Sequence, residues 1–291
     1  MKKAAFLCAG LLLLAACGKA EPLARIDGRD VPEQYIEYAL ELSAVKLVSG
    51  EPVTSKEWRE GALRILAESF TAEKKATEMN LALSESDIAA INADMADVTE
   101  HREAYRFFNY EYPILTARLI DALYGIGGEK APGANELDEF YADLYVGAAY
   151  LYFSLTDDDG VRLVGEDLDR MRAVARKLRD GIAGGEDFYE QIKAHGQDYA
   201  MALSPRGYAF PKDLFGPDVA ETLQTLGHGE ISEVVETPEG LFIIALAEDC
   251  AKPAESDLLY EYKRRGYTAL LDEWVAAAKV EASAAFWKYG H

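Results

Sequence analysis

Apolar positions recur with a helical period over most of the first half of the chain. In Trp58 to Met79 the residues Ala62, Ile65, Leu66, Ser69 and Phe70 fall on one face, which predicts an amphipathic helix with a polar outer side. Ahead of it, Arg25 to Asp30 reads as an extended piece turning at Asp27-Gly28, and Val31-Pro32 opens a helix with proline at a permitted early position. Ser84, with Asp87 three positions on, is placed to cap a further helix. Arg102 to Tyr124 continues the helical pattern and concentrates Tyr105, Phe107, Phe108, Tyr110 and Tyr112; Pro113 either kinks this stretch or starts a new helix. The spacing of these rings reads as the interior of a helical domain, with an exposed apolar binding surface as the second reading.

The pattern then changes. Gly125, Gly127, Gly128, Pro132 and Gly133 break the chain, and because no strand precedes the GIGG run it is not a phosphate loop. After a helix from about Asn135 to Tyr145, Ala148 to Leu155 has strand composition and leads into the acidic turn Asp157-Asp158-Asp159-Gly160. That turn lacks EF-hand ligand spacing and reads as solvated. Leu168, Met171, Ala175, Leu178 and Ile182 form a helical stripe ended by Gly184-Gly185, and a short helix from Asp187 buries Phe188 and Ile192. Gly207, Gly216 and Pro217 punctuate an irregular stretch before a helix over about Asp218 to Leu226. A hairpin then joins Glu233–Glu236 to Leu241–Leu246. The expected order in this part is strand, helix, helix, loop, helix, strand, strand. The fold class is therefore α+β, with a small antiparallel sheet covered by helices beside a mostly helical domain. Ser256 to Tyr289 is helical again, its apolar side carrying Leu258, Tyr262, Leu270, Leu271, Trp274, Val275 and Ala278; with nothing after it to pack on, it is expected to return to the N-terminal helices and complete their core.

Composition changes this picture at one end. Residues 1–16 have a basic start and an apolar run too short to span a bilayer, which reads as an export signal, and Leu14-Ala15-Ala16-Cys17 resembles a bacterial lipobox. The resemblance implies cleavage before Cys17, lipidation of its thiol and a tether over residues 17–24, so that the chain is held on a membrane without spanning it. An ordinary signal peptide with an incidental cysteine is the other reading. Loss of Cys8 and acylation of Cys17 leave Cys250 as the single thiol, so no internal disulfide is expected. The formal charge is −21, and removal of Lys2 and Lys3 makes it two units more negative. This argues against nucleic-acid partners and against unassisted binding to anionic membranes.

The stretch LGHGEISEVVETPEGLFIIAL, Leu226 to Leu246, together with Gly185-Glu186-Asp187-Phe188 and the Gln197-Asp198 position, resembles the parvulin family of peptidyl-prolyl isomerases. The similarity covers about Val146 to Glu248. It implies a parvulin-like domain over residues 146–250, a helical chaperone-like domain over residues 25–145, and a C-terminal helix over residues 251–291 returning to the latter, as in exported foldases of the parvulin group. Active parvulins pair two histidines on adjacent central strands, with an Asp or Cys nearby and apolar residues around the proline ring. Position by position, the resemblance places Tyr150 and Phe242 at the two histidines, Asp198 at the acidic position, and Leu214, Phe215 and Val219 in the apolar wall. Both histidines are thus replaced, and Phe242 has no polar group. Packing in the sheet core is the alternative reading for Tyr150 and Phe242, and a turn or helix-end role for Asp198.

No cofactor is implied, since rotation about an X–Pro bond, with a barrier of ~18–20 kcal/mol, needs no nucleophile. His101, His195, His228 and His291 are scattered without metal-ligand spacing and are expected to be exposed, and no Ser-His-Asp or Cys-His set can be placed. The resemblance therefore implies a membrane-anchored extracytoplasmic folding factor. It would act on unfolded or proline-containing exported polypeptides, either as an isomerase of reduced activity or as a non-catalytic holdase. A solute-capturing surface lipoprotein is a third reading, disfavoured by the lack of large alternating βα units.

Overall fold

The computed structural model describes residues 21–46, 54–157, 160–247 and 250–289. Cys8, Cys17, His291 and the Asp158-Asp159 pair of the acidic turn lie outside the described residues, as do the signal and the first half of the tether. Among the described residues no helix is long and apolar enough to cross a membrane.

The chain begins with the strands β1 (Ala24–Ile26) and β2 (Arg29–Asp30), which form a hairpin about Asp27-Gly28, and continues in the helices α1 (Glu33–Lys46), α2 (Ser55–Glu78), α3 (Glu85–Asp94) and α4 (Arg102–Arg106). α2 starts at a reciprocal cap in which the Thr54 hydroxyl accepts from Glu57 N and the Glu57 carboxylate accepts from Thr54 N at 2.9 Å. Ser84 and Asp87 do the same for α3. A single π turn, Phe107–Glu111, follows α4 and gives way to α5 (Tyr112–Tyr124). Pro113 sits in the first turn of α5, where its missing N–H costs nothing; the widened turn just before it is closed by Tyr112 N–H bonding to Phe107 O. Of the aromatic concentration, Phe107 and Phe108 are buried and pack with Phe70 and the half-buried Tyr35 in one set of edge-to-face and tilted contacts, rings 5.1 to 5.9 Å apart. Core packing is thus what their spacing records.

α6 (Ala134–Leu144) leads into the long strand β3 (Tyr145–Ser154), after which come α7 (Gly165–Ala183), α8 (Phe188–His195), α9 (Tyr199–Leu203), β4 (Tyr208–Pro211), α10 (Pro217–Thr225), β5 (Val235–Glu236) and β6 (Gly240–Leu246). The four strands make one antiparallel sheet in the order β4-β3-β6-β5. Two features of this part depart from the sequence reading. The stretch expected to be irregular contains the helix α9 and the strand β4. Gly207, at φ +96, lets the chain turn back against Ala148 so closely that a side chain there would strike the strand backbone. The pairing of Tyr208 and Phe210 with β3 then overrides a local composition too short to signal a strand.

α11 (Glu255–Ala277) packs on α2 and α5, with Tyr267 and Leu271 in a core shared with Leu115, Leu119 and Leu123. The expected helix to Tyr289 is corrected: the helix ends at Ala277, one residue before the last position of its apolar stripe. β7 (Val280–Ala282) follows and pairs with β1, Ile26 opposite Val280. The open edge of β1 offers backbone partners that a continued helix would leave unpaired. A 3₁₀ turn, Phe286–Lys288, follows at the end of the described chain, with Phe286 buried at 1% exposure in the core that β1, α1, α2 and the residues around Phe107 build. Arg59, itself 2% exposed, holds this turn: its Nε and Nη2 donate to Tyr289 O at 3.1 and 2.7 Å and its Nη1 to Ser55 O at 2.8 Å. A buried guanidinium must be hydrogen-bonded throughout, and here main-chain carbonyls do it. His101, expected to be exposed, is half-buried in a left-handed conformation with Glu37 Oε2 3.4 Å from its Nδ1.

Because Phe286 is fully buried in the N-terminal core, Phe286→Ala is expected to destabilise the protein by about 3–5 kcal/mol, read as a lowered denaturant midpoint. A shift no larger than that of an exposed control such as Trp287→Ala would show that the C-terminal turn does not complete this core.

Candidate functional site

The terminal hairpin explains the local geometry residue by residue. Glu230 Oε2 accepts from Gly227 N at 2.9 Å, closing the Leu226–Glu230 turn, and Ile231 bridges to Ala245. Ser232 is zipped to β6: its backbone N donates to Ile244 O at 2.8 Å and its hydroxyl accepts from Ile244 N at 2.8 Å. Thr237 Oγ1 accepts from Glu239 N and Gly240 N, which tightens the next turn. Gly240 lies so close to the Tyr152 ring and Phe153 O that no side chain fits. From the opposite side Arg179 of α7 donates to Ile231 O and Ser232 O.

With that hairpin seated, β3 and β6 run in register from Ala148↔Leu246 to Ser154↔Gly240. Tyr150 lies opposite Ile244, and Tyr152 opposite Phe242, so Tyr150 and Phe242 are diagonal neighbours on one face with ring centroids 5.8 Å apart. β4 adds Tyr208 and Phe210 to this face. Phe215, in the turn before α10, covers it, with its ring 5.0 Å from Tyr150, 4.9 Å from Phe242 and 5.5 Å from Phe210. Tyr150 and Phe242 are 2% and 1% exposed.

β4 pairs with β3 only as far as Ala148, and beyond it the edge of β3 is taken by Gln197. Its N donates to Tyr152 O at 3.0 Å and its Oε1 accepts from Ser154 N at 2.7 Å. This seats the next residue, Asp198, beside Tyr150. Asp198 Oδ1 caps α9 through Met201 N at 3.1 Å, and its Oδ2 accepts from the Tyr150 hydroxyl at 2.7 Å. The Tyr208 hydroxyl lies 3.0 Å from that of Tyr150. Since the single proton of Tyr150 goes to Asp198, Tyr208 is the donor in the second bond. The line runs Tyr208 to Tyr150 to Asp198.

The structure therefore brings together Tyr150, Asp198, Phe242 and Phe215, and buries Val219 in the same core. Leu214 points away, 54% exposed. Tyr199 and Leu203 of α9, the helix that Asp198 caps, are also exposed, at 78% and 67%. Tyr208, Phe210 and Tyr152 were not singled out from sequence. The alternation of Tyr208 and Phe210 between Gly207 and Pro211 is the only local signal, and it spans a single period. Burial pushes both phenols up: Tyr150 is raised far above the ordinary tyrosine range by desolvation first and then by its bonds to Tyr208 and Asp198, and Tyr208 by desolvation, opposed by its bond to Tyr150. At neutral pH neither supplies a base or a nucleophile. The cluster is an aromatic layer closed over by Phe215, with the Tyr150 and Asp198 oxygens at one edge. Among the described residues no group of three or more His, Cys, Asp and Glu side chains is placed to hold a metal.

No family model matches the chain, and no curated protein matches it. Solved structures with which it aligns include a peptidylprolyl isomerase, PrsA, from Bacillus anthracis, at 13% identity over 84% of this chain and 94% of that one, TM-score 0.38. PrsA from Bacillus subtilis aligns at 16% identity over 93% of each chain, TM-score 0.29. The foldase protein PrsA from Streptococcus pneumoniae aligns at 14% identity over 88% and 87%, TM-score 0.35. The reading of the site rests on its own residues.

Tyr150→Phe removes one hydroxyl and strands two partners in a half-buried setting, so a loss of about 1–3 kcal/mol is expected on denaturant unfolding. The raised tyrosines also give a signed pH dependence. Their contribution is present in full below the unfolded tyrosine value of about 10 and is lost as pH rises beyond it. Melting temperature should therefore fall more steeply above that pH in the wild type than in Tyr150→Phe; parallel curves would contradict the buried phenol line.

Proposed function

We propose that this chain is a membrane-anchored extracytoplasmic folding factor whose parvulin-like domain, residues 146–250, grips proline-containing segments of unfolded exported polypeptides. The observation that carries the reading is the aromatic floor of Tyr150, Phe242 and Phe215 joined to Asp198 and flanked by exposed Tyr199, Leu203 and Leu214. A proline ring is held by aromatic faces, and exposed apolar side chains are places where the apolar neighbours of an extended segment can bind. Leu14 to Cys17 supports anchoring through acylation of Cys17, with the residues that follow as a tether. Isomerisation requires only that the twisted amide bind better than the planar one. Tyr150, Asp198 and Tyr208 offer polar contacts at one side, while Phe242 answers with none. Catalysis by this site is accordingly weak.

A second reading, a holdase without isomerase activity, is favoured by one feature. Phe215 lies within 5.0 Å of both Tyr150 and Phe242 ring centres, so that a proline would have to displace or stack on it.

Two assays on the full chain separate these. Acceleration of cis–trans exchange in a proline tetrapeptide is expected but small, and a rate equal to the uncatalysed one sinks the isomerase reading. Suppressed aggregation of an unfolded exported protein is expected on both readings, and its absence sinks the holdase. Tyr199→Asp with Leu214→Asp should weaken peptide binding about tenfold, as two partly covered apolar contacts predict. Cys17→Ser should release the protein from the membrane fraction.

A further inference from the structure

Leu214 and Phe215 belong to a tight turn between β4 and α10, in which Leu214 N bonds to Pro211 O at 3.0 Å and Gly216 N to Asp213 O at 3.3 Å. The two residues just before them are held from outside the sheet. Lys212 N donates to Leu144 O at 2.8 Å, and its Nζ donates to Asp143 O at 2.9 Å and Ala142 O at 3.3 Å, capping the C-terminus of α6. Asp213 takes both terminal nitrogens of Arg265, Oδ2 from Nη1 and Oδ1 from Nη2, each at 2.7 Å. Arg265 is on α11, and its remaining Nε donates to Glu261 Oε1 at 2.6 Å, one turn back on the same helix. Glu261 is in turn bonded by Arg264 through Nε and Nη2, at 2.8 and 2.6 Å. α11 packs elsewhere on α2 and α5. One planar guanidinium thus ties the helical part of the molecule to the residue next to Leu214.

We infer that Arg265 is a positioning residue whose two-pronged grip on Asp213 transmits the seating of α11 to the Leu214–Phe215 wall and so sets how tightly the site holds a proline segment. The inference rests on the proline-binding reading proposed above. Three observations carry it. The pair joins elements more than fifty residues apart in sequence, so it has no local structural purpose within one helix or turn. The fork geometry is one that lysine cannot reproduce. And the side chain directly beyond the clamp, Phe215, lies on both Tyr150 and Phe242, so displacement of the turn is felt on the aromatic floor. Arg265 holds the Asp213 carboxyl below its usual range, in keeping with an occupied pair, and since both partners remain partly exposed the strut weakens with salt.

The test uses the full chain with Arg265→Ala, Arg265→Lys, Asp213→Asn and the swapped double variant Arg265→Asp/Asp213→Arg. Amide hydrogen exchange over residues 212–216 is expected to rise about fivefold in the first three, the range a networked surface pair supports. Exchange in Tyr150–Ser154 of β3 should stay as it is, and the swapped pair should recover most of the protection. The dissociation constant for a proline tetrapeptide should rise in parallel, with recovery in the swap. Unchanged exchange in Arg265→Ala overturns the strut. Raised exchange with unaltered peptide affinity overturns its control of peptide binding. Wild-type protein that binds no proline peptide overturns the proline-binding reading itself, and the exchange measurement still decides the strut.

Discussion

The antiparallel pairing of β3 with β6 is the constraint from which the rest of the sheet domain follows. Side chains alternate across a strand, so the register Tyr150↔Ile244 and Tyr152↔Phe242 decides that Tyr150, Tyr152 and Phe242 share a face and that Leu151, Ile243 and Leu241 share the other. A slip of one residue would exchange the two sets and bury the phenols under α7 and α8, away from any acceptor. Ser232 is what prevents the slip, because its main chain and its hydroxyl both lock onto Ile244. Gly240 at the other end of β6 admits only the close approach of Tyr152.

Backbone hydrogen-bond demand accounts for how the polar atoms arrive. β3 is longer than β4, so its far edge needs donors and acceptors that the sheet does not supply; Gln197 provides one of each, and the adjacent Asp198 is carried to the Tyr150 hydroxyl as a result. The same demand closes the molecule at its ends. β1 takes β7 along its open edge, and the buried Arg59 finds its acceptors in the carbonyls of Tyr289 and Ser55. The β1–β7 pairing and the Arg59–Tyr289 bonds join residues far apart in the chain and tie its last described residues to the first strand and to α2.

Much of the helical part was legible because its signals are local. The Thr54 and Ser84 caps, the apolar stripe of α2 and the proline at the start of α5 each act over one or two turns, within reach of a sequence pattern. The stripe ending at Ala278 also marks the end of α11, while nothing local in the residues beyond it distinguishes a strand from more helix. β4 and β7 were missed for one reason: each is a few residues long and is a strand only because another strand lies beside it. Tyr208, the third member of the phenol line, was missed with β4.

By itself the sequence determined the α+β class and the positions of the main helices and the hairpin, because period, capping residues and turn residues are properties of neighbouring positions. Only the tertiary structure decided that Tyr150 and Asp198, forty-eight positions apart, share a hydrogen bond, that Phe215 covers the floor while Leu214 stays in solvent, and that Arg265 reaches across to Asp213. Those outcomes depend on where separate elements come to rest against one another, and on the cost of leaving a buried hydroxyl or strand edge unpaired, neither of which is written in any one segment.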